Sequence, residues 1–191
     1  GSMHKNMKAT IDQLLNLVMF CRQVNIPYRV YAFSDRFDRG TDSGATQAVN
    51  DVEINTLQYK SGFRLMEFFN NKMNRREFTE MAQMLLAIGQ NYSKDVSYFL
   101  PWQFYLGGTP LDDAIMAGVQ IHKEFQKSNR LDIVNTVFLT DGDSHPIEAK
   151  IVSFSGSIRQ NVAIWHLGVK YNVVKFIDPV TKKQYRLQDR N

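Results

Sequence analysis

The chain has 191 residues, with 23 Lys+Arg against 19 Asp+Glu for a net charge of +4, and 43% of it is hydrophobic. That is the balance of a soluble chain folding around one core of about one domain's size. Thirteen Phe, eight Tyr and two Trp supply apolar area that a disordered segment lacks. Cys21 is the lone cysteine, which excludes a disulfide scaffold and points to a reducing, cytoplasmic setting. No apolar run approaches the roughly 18 residues of a membrane-spanning helix, and no signal peptide is visible. The pI near 9.1 is a weak nucleic-acid signal at so small a net charge.

In chain order, residues 7–24 read as a helix, with Met7, Ile11, Leu14, Leu15, Val18 and Met19 at helical spacing and Pro27 stopping it. Tyr28–Ser34 is short, aromatic and β-branched, a strand. Residues 35–60 are polar and long for a connection, a functional or mobile loop. Residues 63–70 and 76–90 both have helical character. In the second, Phe78, Met81, Leu85 and Ile88 form an apolar face. The aromatic stretch 98–105 reads as core covering the loop that follows it. A helix is expected over 110–127, with Ile115, Val119, His122 and Phe125 along one face. Thr109 before Pro110 is a good helix start, the hydroxyl capping and Pro lacking only an N–H that would be unpaired anyway. Asp112 and Asp113 in the first turn suit the helix dipole. Ile133–Thr140 reads as a buried strand ending at Asp141. Three further strands are expected at 161–167, 173–177 and 184–187.

Two motifs carry chemistry. Gly107-Gly108-Thr109-Pro110-Leu111 delivers a hydroxyl at a helix N-terminus, and Phe138-Leu139-Thr140-Asp141-Gly142-Asp143 delivers a carboxylate at the C-terminal end of a strand. In an open α/β sheet those two places share one edge, where ligands bind. Hydroxyl and carboxylate oxygens are hard donors suited to Mg²⁺ or Mn²⁺. Each motif also has a plain structural reading, Thr109 as a helix cap and Asp141-Gly142 as a strand-ending turn. Asp143 and His145 lie two and four residues beyond Asp141 and could share its rim, although a loop histidine also fits simple exposure. Asp35 and Asp38 follow a strand end and could approach the same edge, or serve a turn.

Together, and in this order, the motifs resemble the von Willebrand factor A (VWA) domain, and Gly-Gly-Thr-Pro-Leu followed by Leu-Thr-Asp-Gly looks most like its intracellular branch. That branch includes the VWA subunits of cobaltochelatase and magnesium chelatase and proteins paired with MoxR-type AAA+ ATPases, many of them bacterial or phage-encoded. The resemblance covers about residues 1–168. It implies a Rossmann-like three-layer α/β fold with a mostly parallel sheet flanked by helices. It also implies a metal-ion-dependent adhesion site in which Thr109 and Asp141 are ligands and Gly108 and the Asp143/His145 rim lie beside them. The family's first motif, Asp-x-Ser-x-Ser, is incomplete. Gly1-Ser2-Met3 resembles its tail, which would make Ser2 a third ligand; a Gly-Ser scar left by tag removal is the competing reading.

The expectation is therefore one VWA-like domain over 1–191, truncated at its first metal motif, with 169–191 a hairpin-like extension. Loss of a central strand would favour a swapped or self-associated oligomer. With one protein carboxylate against a double charge, Mg²⁺ or Mn²⁺ should be held weakly. The function implied is non-catalytic, metal-mediated binding of a protein carboxylate, with an AAA+ ATPase as partner. Alternatives are a metal-dependent hydrolase using Asp141, Asp143 and His145, and a nucleic-acid adaptor using the basic tail.

Overall fold

The computed structural model describes residues 5–35, 56–59, 62–93, 100–101, 104, 107–140, 142, 144–145, 148–152, 158–163, 175–177 and 184–186. Three helices are described, α1 (Met7–Gln23), α2 (Arg75–Ser93) and α3 (Leu111–Asn129). The strands are β1 (Arg29–Ser34), β2 (Thr56–Gln58), β3 (Arg64–Asn70), β4 (Glu148–Val152), β5 (Ile158–Ala163), β6 (Lys175–Ile177) and β7 (Gln184–Arg186). Helix and strand are thus mixed, as the α/β reading expects. Every strand pair among the described residues is antiparallel: β1 with β3, β4 with β2 and β5, and β6 with β7. A mostly parallel sheet does not occur among them.

The helices form where local chemistry closes their ends. Asn25, at φ 56°, ends α1 in a left-handed turn, in which the Ile26 N–H donates to the Cys21 carbonyl and the Asn25 N–H to that of Arg22. Arg130, at φ 52°, repeats the motif at the end of α3, with Leu131 N–H on Gln126 O and Arg130 N–H on Lys127 O. Asn74 and Glu77 cap the start of α2 reciprocally. The Glu77 N–H donates to the Asn74 side chain at 3.0 Å, and the Asn74 N–H to the Glu77 carboxylate at 2.9 Å.

The core lies between α1, α2 and the β1–β3 pair. Ile11, Leu15 and Val18 of α1, Leu85 and Ile88 of α2, Phe69 of β3 and Leu100 are buried together. Leu100 and the half-buried Phe104, packed on this cluster, agree with the core reading of the aromatic stretch. Its other residues, Tyr98, Phe99, Trp102, Gln103 and Tyr105, lie outside the described residues.

Four expectations are corrected. The stretch read as helical over 63–70 is a strand from Arg64 to Asn70: Leu65, Met66 and Glu67 are good helix formers, but the ladder to β1 decides the backbone. Met19 of α1 is exposed rather than on the apolar face. On α3, Phe125 is buried while Ile115 and Val119 are exposed. The fourth is Ile133–Thr140, whose backbone joins no strand among the described residues. Three of its large side chains face water, Ile133 at 79%, Val137 at 75% and Leu139 at 59% exposure. Of the expected later strands, β5 overlaps the start of 161–167, and β6 and β7 fall within 173–177 and 184–187.

Opposite the core, Arg29 and Glu67 form an ion pair across the β1–β3 ladder at 2.7 Å, with Asn70 donating to the other Glu67 oxygen at 3.1 Å. Burial alone would raise the Glu67 pKa. The hydrogen bonds from Arg29 and Asn70 outweigh it and hold the carboxyl below its ordinary range. Burial, with Glu67 beside it, pushes the Tyr31 phenol up to about 12. Because Glu67's folded pKa is the lower one, its contribution is present above the unfolded value and lost as pH falls through the folded value. Glu67→Gln should therefore cost about 0.5–1 kcal/mol at neutral pH, a partly exposed pair being modest. It should also flatten the acid limb of a urea-denaturation series taken from neutral to low pH. An unchanged acid limb would show the pair to be inert.

Candidate functional site

The edge at the C-terminal end of β1 is built by three segments. β1 ends at the buried Ser34 and runs into Asp35, which is also buried. The loop Gly107–Pro110 leads into α3, and the chain returns after Thr140 through Ser144 and His145. Asp35 ties them together. The Gly108 N–H donates to Asp35 Oδ1 at 2.5 Å, and His145 Nδ1 lies 2.9 Å from Asp35 Oδ2. An ionised carboxylate only accepts, so the Nδ1 of His145 carries the proton of that bond. The His145 backbone N–H donates to the Thr109 carbonyl at 2.9 Å, locking the two loops.

Gly108 makes this possible by lacking a side chain. A Cβ there would fall on His145 Cε1 and lie 2.7 Å from both Asp35 Oδ2 and His145 Nδ1. At the helix start the expected cap is replaced. The Asp112 N–H donates to the hydroxyl of Ser144 at 2.9 Å, and that hydroxyl donates to the His145 carbonyl at 2.9 Å. The Thr109 side chain does no capping and has no hydrogen bond among the described residues. A cap from a distant loop satisfies the same orphan N–H groups that Thr109 would have served. Asp113 is fully buried in the first turn, where the helix dipole favours a carboxylate.

The segments also agree in direction. Phe138 packs at Gly118, and Thr136 Oγ1 lies 2.9 Å from His122 Nδ1. Residues 133–140 therefore run antiparallel to α3 and toward its N-terminus. β1 runs toward the same edge, since Asp35 follows it. Glu124 of α3 acts electrostatically on Arg29 and Tyr31 of β1.

Of the residues read from sequence, the structure brings Gly108, Thr109, His145 and Asp35 to one edge. Ser2, Asp141, Asp143 and Asp38 lie outside the described residues. His122 is half-buried against Thr136, and Cys21 is half-buried without a disulfide. His166 lies outside the described residues. Ser144 was not foreseen; a hydroxyl next to His145 carries no pattern that marks it as a cap for a helix more than thirty residues earlier.

The donors present are consistent with part of a cation site. Thr109 supplies a hydroxyl with no competing hydrogen bond among the described residues, and His145 a ring held by a buried carboxylate. Among the described residues no group of three or more His, Cys, Asp or Glu side chains is arranged to hold a metal ion. No described helix is long and apolar enough to cross a membrane. No family model, curated protein or solved structure matches this chain.

Proposed function

We propose that the chain is a metal-ion-dependent protein-binding adaptor of VWA type, built on a Rossmann-like three-layer plan. In this reading Thr109, Asp141 and Ser2 hold Mg²⁺ or Mn²⁺, and an AAA+ ATPase of the chelatase or MoxR type is the cytoplasmic partner. The observation that carries it is the convergence of three places on one edge: the end of β1 at Asp35, His145 beyond the 133–140 segment, and the Gly107–Thr109 loop at the start of α3. That is where ligands bind in open α/β sheets. Bound there, the cation would supply a positive charge that a partner carboxylate completes.

The same reading includes self-association. Residues 133–139 expose apolar side chains on a segment that no described strand pairs, and a strand from a second copy would satisfy both needs.

Asp141→Ala separates this reading from its rivals. It should abolish Mg²⁺-dependent capture of an AAA+ partner in a pull-down and leave the melting temperature within a few degrees. Loss of a metal-dependent hydrolytic turnover in its place would favour a hydrolase. A salt-dependent DNA affinity untouched by the substitution would favour a nucleic-acid adaptor.

A further inference from the structure

We draw no further inference here: the strongest candidate, the exposed apolar face that Leu17, Phe20 and Val24 form on the outer side of α1, carries nothing because nothing among the described residues shows what covers it.

Discussion

Phe69→Ala should lower the stability of the fold by about 3–5 kcal/mol and its melting temperature by roughly 10 °C or more. Phe69 is completely buried. It sits on β3 opposite Val30 of β1, and its ring meets that of Phe78 of α2 at 5.1 Å in a tilted pair. One side chain therefore joins the sheet to the helical layer. Removing it costs the transfer free energy of the ring, the cavity left behind and the aromatic contact. The neighbours that would have to collapse into the space are Val18 on α1, whose end is closed by a left-handed turn, and Leu85 and Ile88 on α2, whose start is closed by a capping box, so relaxation is limited. Urea denaturation should show a lower midpoint with an unchanged slope. A loss below about 1 kcal/mol would mean that the two layers do not share this residue as their keystone.

Gly108→Ala should have the largest effect on the site at a smaller cost to the fold. The new methyl would occupy the space of the His145 ring edge and press on Asp35 Oδ2. The ring is partly exposed and can swing away, whereas Asp35 is buried and held. The stability loss should thus fall in the range of about 1–3 kcal/mol usual for overpacking, while the Asp35–His145 bond is lost outright. Two readouts follow. The His145 ring should lose its Nδ1-protonated signature in long-range proton–nitrogen spectra, and, on the adaptor reading proposed above, cation and partner binding should drop together. The double variant Gly108→Ala/His145→Ala should recover part of the stability but none of the binding, because the clash with the ring is gone and the pressure on Asp35 stays. A Gly108→Ala protein with the His145 signature intact would show that the loop has room to spare.

What could be read in the sequence was mostly local. The helix starts and stops near residues 7, 24, 76 and 110 follow from side-chain chemistry within a few positions, and the structure agrees with them to within about three residues. The motif Gly107–Pro110 and the return through His145 were visible as an edge because their residue types are unusual there. Residues 63–70 were misjudged because Leu65, Met66 and Glu67 have helical preferences that only a neighbour 38 positions away, Arg29 beside Glu67, overrides. Residues 133–140 have the β-branched run of a strand, but a strand needs a ladder partner, which propensity does not supply. Asp35 looked equally suited to a turn. Its role depends on Gly108 and His145, at separations of 73 and 110 residues, and no local rule reaches that far.

The open segment 133–140 has a consequence for the life of the molecule rather than its chemistry. Ile-Val-Asn-Thr-Val-Phe-Leu-Thr is uncharged, rich in β-branched residues and free of Pro and Gly, the composition of a sequence that templates stacking of identical strands. While its side stays uncovered, each molecule carries a sticky strip whose encounters scale with concentration. Whatever lies along it also sets how long the chain survives dispersed, and a variant with Lys at Val137 or Leu139 trades that hazard for the loss of any strand that docks there.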